Sequence, residues 1–101
     1  VLSNQLLLTA VVESFSPLAY TVGGVPVVKM VLFHQSRQVE DSVHRQVHVK
    51  IEAVVVGDSA VKFAANPPKK ATFLGFLNQK SLHQSGVVFH VNGYEIVNEN
   101  I

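Results

Sequence analysis

Hydrophobic and polar residues alternate along most of this chain, and the breaks in the alternation divide it into five strands. Over Asn4–Phe15, Leu6, Leu8, Ala10 and Val12 share one side at period two, with Thr9 and Glu13 on the other. Ser16-Pro17 interrupts the run. Tyr20–Pro26 (YTVGGVP) reads as a turn, because Gly23-Gly24 can take positive φ without steric cost. Val27–Ser36 is the second strand, with Val28, Met30 and Leu32 on one face and Lys29, Val31, Phe33 and Gln35 on the other. That second face is too apolar for plain solvent and calls for a cover: a partner subunit, a ligand or both.

Arg37–Val43 is polar, with Glu40 and Asp41 in its middle, and is expected to be a mobile hairpin loop. His44–Val56 alternates strictly. Val47, Val49, Ile51, Ala53 and Val55 point inward, and His44, Gln46, His48, Lys50 and Glu52 point outward. Arg45 falls on the inward register at the strand's start, within reach of the rim. In the connection Gly57–Lys70, Asp58 or Ser59 is expected to cap one short helical turn through Ala65, and Asn66-Pro67-Pro68 ends it. Ala71–Leu77 and Val87–Val97 are the last two strands. Between them Asn78–Gly86 reads as a polar loop, a finger carrying Lys80 and His83. Phe73, Leu77 and Phe89 are expected in the core, and Phe76 on the opposite face, in a subunit interface or on a binding surface.

Composition narrows the function classes. A chain of 101 residues with 48% hydrophobic and 15% charged residues can bury a core as one domain spanning residues 1–101. The formal net charge of +1 permits nucleic-acid binding only if the cations gather on one face. The chain has no cysteine, which removes disulfides and thiolate zinc sites. No apolar run reaches the roughly 20 residues of a membrane span. With no signal peptide and no initiator Met at its start, the expectation is a cytoplasmic protein with a trimmed beginning.

Chemistry is sparse. There is no phosphate-binding loop, nucleophile elbow or dinucleotide fingerprint, and the acids Glu13, Glu40, Asp41, Glu52, Asp58, Glu95 and Glu99 are scattered, so a non-enzyme without cofactors is expected. His44 and His48 share a face but stand about 13 Å apart on a strand, too far for one metal ion. His34 and His90 are expected to be partly buried and hydrogen-bonded.

Five strands with a short helical connection between the third and fourth follow the order of an all-β, five-stranded OB-fold barrel, which binds single strands or oligosaccharides across its second and third strands and two flanking loops. Strands of ten residues or more disfavour an SH3-like barrel.

The segments Leu6-Leu7-Leu8 after Asn4, Pro17–Thr21, Gly24-Val25-Pro26 and Leu32–Ser36 resemble the opening half of bacterial single-stranded DNA-binding proteins. Leu32-Phe33-His34-Gln35-Ser36 with Gln38, His44-Arg45-Gln46, Gly75-Phe76-Leu77 and Gln79-Lys80-Ser81 resemble the primosomal replication protein N (PriB) family over nearly the whole chain. The resemblance implies an OB-fold homodimer that binds single-stranded DNA. It also implies work with the PriA helicase, the single-stranded DNA-binding protein and other primosome proteins when stalled forks restart. The enterobacterial members stack bases on two aromatic residues. Val43 and His48 stand at those positions here, and the finger carries fewer lysines, which implies weaker or differently placed DNA contact. Stacking on an aromatic ring is worth about 1–3 kcal/mol per base.

On the residues alone, the outward face of the third strand is either a solvated strand face or a polyanion surface. The resemblance favours the second reading and makes His44, His48 and Lys50, with Arg45, the leading DNA-binding candidates. Lys80 and His83 in the finger come next, then Gln35 and Arg37 on the second strand and its exit, with Phe33, for which a stacking platform and burial in a dimer are equal readings. Two other readings are a general single-stranded DNA-binding paralogue with a tetrameric assembly, disfavoured by the end at Ile101 without an acidic tail, and a protein-binding scaffold with residual DNA affinity.

Overall fold

The computed structural model describes residues 2–97, so Glu99 and Ile101 lie outside it. In chain order it contains β1 (Leu6–Phe15), the two-residue β2 (Ala19–Tyr20), β3 (Pro26–Glu40), β4 (Val43–Val56), helix α1 (Asp58–Ala65), β5 (Lys70–Ser81) and β6 (Gln84–Ile96). The sheet order is β1-β5-β6-β4-β3-β2, and β1 also pairs with β3, so the sheet closes on itself. The pairing of β4 with β6 is parallel; the others are antiparallel. The five long strands form the expected OB-fold barrel, with β2 as a small addition paired to the start of β3.

Alternation places the core as read from the sequence. Val28, Met30 and Leu32 of β3, Ala53 and Val55 of β4, Ala71 and Phe73 of β5 and Phe89 and Val91 of β6 are buried together. At eight residues α1 is too short to be stable alone. Ala60 and Phe63 hold it by plugging the barrel: Phe63 is fully buried and meets Phe15 and Tyr94 edge-on, at 5.6 and 5.8 Å between ring centroids. Burying such a side chain stabilises by roughly 1.5–3 kcal/mol. Neither Asp58 nor Ser59 caps the helix, contrary to expectation. The chain leaves β4 through Gly57 at φ 85°, a conformation that favours glycine, and the Gly57 N–H donates to the Pro26 carbonyl at 2.9 Å.

Two expected loops are strands. The supposed mobile loop 37–43 continues the β3–β4 ladder to Glu40↔Val43, leaving a two-residue turn in which Asp41 and Ser42 have φ of 49° and 65°, as a tight hairpin requires. The finger is likewise a continuation of β5 and β6 to Ser81↔Gln84, with Leu82-His83 as its turn. The physical reason is common to both. Beyond the barrel, backbone groups satisfy one another along the ladder whatever the side chains are, and polar side chains on both faces mark a hairpin standing clear of the core. Leu77, expected in the core, is accordingly 37% exposed, because β5 has passed the barrel rim.

Two side chains stitch the seams that the ladders leave. The Asn4 amide donates to the Leu77 carbonyl (2.8 Å) and accepts the Leu77 N–H (3.0 Å), adding one rung beyond Leu6↔Gly75. His34 lies within 2.7 Å of the Thr9 carbonyl through Nδ1 and of Ser36 Oγ through Nε2, the hydrogen-bonded state expected of it.

At the β5–β6 register shift beside Gly75 the two backbones approach so closely that a Cβ at this position would fall on the His90 carbonyl. Gly75→Ala is therefore expected to destabilise the barrel by about 3 kcal/mol, read as a lower urea midpoint; an unchanged midpoint would show that the seam can open.

Candidate nucleic-acid interface

The β3–β4 hairpin supplies one long outward row. Lys29, Val31, Phe33, Gln35 and Arg37 on β3 stand opposite Val54, Glu52, Lys50, His48 and Gln46 on β4. Period-two alternation sends these side chains out as Val28, Met30 and Leu32 go in. Phe33 is half-buried, and its ring lies 6.4 Å from that of His48 at a tilt of 37°. Phe33, Gln35, His48 and Lys50 thus form one cluster, Arg37 follows along the row, and His44 stands opposite Val39 near the turn.

Two of the expected site residues lie elsewhere. Arg45 is on the reverse face of the hairpin, where its Nε is 3.3 Å from the Glu40 carboxylate. His83 is at the tip of the β5–β6 hairpin, its backbone N–H donating to Ser81 Oγ at 3.3 Å. Lys80, by contrast, joins the row. Its stem lies over Gly86, where a Cβ would sit 3.1 Å from Cδ and Cε, and its Nζ is 2.9 Å from Glu52 on β4.

Between the row and this hairpin runs a groove of about 540 Å³, lined by Phe15, Lys29, Val31, Glu52, Val54, Lys80, Val88 and His90 among others. Its walls are apolar and its edges charged. Lys29 and the carboxylates of Glu13 and Glu52 belong to this face, although sequence reading did not single them out. Lys29 was legible from its outward register. The carboxylates were not, because each meets its lysine only through the closed barrel. Glu13 sits at the irregularity between Val12 and Ser14, where β1 pairs with β3, and reaches Lys50 at 2.9 Å.

The arrangement suits a flexible polyanion that carries flat groups. Cationic ends can meet phosphates, and Phe33 with His48 offers a place for bases to stack. Among the described residues no three His, Asp or Glu side chains are grouped to hold a metal ion, and no helix is long and apolar enough to cross a membrane. His90 stacks flat on Phe76 at 5.0 Å and 5°. Burial pushes the Tyr94 phenol above its ordinary value, and this ring packs on Phe63 and Phe73 beside the core.

Comparison with known proteins agrees with this geometry. The model of a single-strand binding protein family matches residues 4–93. The replication restart protein PriB of Neisseria gonorrhoeae is 35% identical over 79 residues, 78% of this chain and 79% of the relative. That of Bordetella pertussis is 36% identical over 64 residues, 63% of this chain and 60% of the relative. The solved PriB structure from Ralstonia solanacearum superimposes with a TM-score of 0.85 at 32% identity, covering 96% of this chain and all of that one. The single-stranded DNA binding protein of Thermus aquaticus, at 19% identity and a TM-score of 0.76 over 96% of this chain and 51% of that one, shares the fold. The chain belongs to the single-strand binding protein family and, within it, to the replication restart proteins PriB.

Proposed function

We propose that this chain is a single-stranded DNA-binding protein of replication restart, and that the outward row of the β3–β4 hairpin, flanked by the β5–β6 hairpin, is its DNA face. The observation that carries the reading is the convergence of Phe33, Gln35, His48, Lys50 and Lys80 on one side of an OB barrel, across the strands and loop that this fold uses for single strands. Lys29, Arg37, Lys50 and Lys80 track phosphates, and Phe33 and His48 stack bases without reading sequence. His44 extends the row, and Arg45 and His83 act at its margins. The protein holds the strand exposed and passes it among the PriA helicase, the single-stranded DNA-binding protein and other primosome proteins.

The working unit is a homodimer. Leu7, Val11, Leu74 and Phe76 are 67%, 44%, 44% and 37% exposed on the outer side of β1 and β5, a run of apolar surface that a second copy would cover. A second reading, a scaffold that binds mainly protein, draws support from Glu13 and Glu52, which neutralise two of the row's lysines.

Titration of labelled oligo-dT tests the DNA face. Lys50→Ala and Lys80→Ala are each expected to weaken binding for every sequence and to lower the slope of log affinity against log salt by up to about 0.7. Unchanged affinity in both would remove this site, and tight helicase binding without DNA binding would favour the scaffold. Sedimentation is expected to return twice the 11.0 kDa of one chain; a monomer would remove the dimer.

A further inference from the structure

Two lysines of the DNA face are already occupied by carboxylates. Lys50 reaches over β3 to Glu13, and Lys80 reaches over β6 to Glu52, both at 2.9 Å. The second pair has a bed prepared for it. The stem of Lys80 lies on Gly86, where a Cβ would come within 3.1 Å of it and oblige it to shift by a few tenths of an ångström, and Lys80 is the more covered partner, at 38% side-chain exposure against 56% for Glu52. The two pairs lie on the same side of β4, with Glu52 two residues beyond Lys50. Each carboxylate occupies a place that a DNA phosphate would take beside its lysine.

We propose that Glu13 and Glu52 are built-in competitors of the DNA phosphates: they hold Lys50 and Lys80 in position on the face and set its affinity and salt response. The proposal rests on the DNA-face reading above. A phosphate that engages Lys80 must displace or share with Glu52. The released carboxylate then gathers a cation from solution and faces the incoming polyanion. Net ion release per contact is thereby reduced, which lowers affinity and flattens its dependence on salt. The pairs are partly exposed, so each effect is modest, in the range measured for surface ion pairs.

The test is fluorescence anisotropy of labelled oligo-dT across a salt series, with the full chain and its Glu13→Gln, Glu52→Gln, Lys50→Ala, Lys80→Ala and Glu52→Gln/Lys80→Ala variants. Asp58→Asn, an exposed acid at the start of α1, controls for net charge. The expected result is a gain of about two- to fivefold for each carboxamide variant, with a steeper salt slope; this steepening and the flattening in the matching lysine variant together amount to about 0.7 per contact. Asp58→Asn should give a smaller gain, and the gain from Glu52→Gln should vanish in the Lys80→Ala background. Carboxamide variants that bind like the parent while Lys50→Ala and Lys80→Ala bind more weakly would overturn the competition and leave the DNA face standing. A Glu52→Gln gain that persists without Lys80 would overturn it in favour of a general field effect. Unchanged affinity in both lysine variants would overturn the DNA face and the competition together.

Discussion

The structure depends on β1 being shared. Its first half pairs with β5, from Leu6↔Gly75 to Val11↔Lys70, and its second half with β3, from Val11↔Phe33 to Phe15↔Met30. Val11 is the pivot at which one strand serves both neighbours and the sheet becomes a closed barrel. Closure removes the open edges that a sheet of this size would otherwise expose. It also leaves the ladders of β1 with open ends. His34, one residue past the Val11↔Phe33 rung, reaches back to the Thr9 carbonyl, and Asn4, ahead of Leu6, extends the β1–β5 ladder to Leu77. Polar side chains at these places complete a backbone account that the ladders alone leave open.

From this closed body two hairpins overshoot. β3 and β4 run past the core to the Asp41-Ser42 turn, and β5 and β6 run past the rim to Leu82-His83. From Arg37 to Glu40, from Val43 to Gln46 and from Phe76 to Ser81 every residue is exposed. These extensions contribute nothing to the core, so their side chains are free to serve binding. Their laddered backbones still hold those side chains at fixed spacing, which a flexible loop would not. One charged pair ties an extension to the barrel, since Lys80 joins the β5–β6 hairpin to β4; the other, Lys50 with Glu13, joins β4 to β1 within the barrel.

The barrel was legible in the sequence because burial imposes period two. Val28-Met30-Leu32 and Ile51-Ala53-Val55 have a single register that hides them, and the faces assigned from alternation are the faces found. Outside the core that signal stops. Residues 37–43 and 78–86 are mostly polar, with Val39, Val43 and Leu82 the only large apolar side chains among them, all exposed, and polarity alone does not separate a free-standing hairpin from a loop. The helix start was misjudged for a related reason. Asp58 and Ser59 have cap-forming side chains, but the exit from β4 needs the positive φ of Gly57. Of the candidate site, alternation brought out the row on β4 and its neighbours on β3. It also set Arg45 on the inward register, the reverse face where it lies. The pairing of Lys50 with Glu13 and Lys80 with Glu52 was out of reach, because those contacts exist only once the strand order is known.

The central claim is that one face of the barrel, the outward side of β3 and β4 with Lys80 beside it, receives single-stranded DNA. Amide chemical-shift mapping of the isotope-labelled protein titrated with oligo-dT tests this most directly. Perturbations are predicted at Phe33, Gln35, His48, Lys50 and Lys80, with Leu7, Thr9 and Leu74 on the outer side of β1 and β5 left unmoved. Perturbations concentrated on Leu7, Thr9 and Leu74 that spare the β3–β4 row would contradict it.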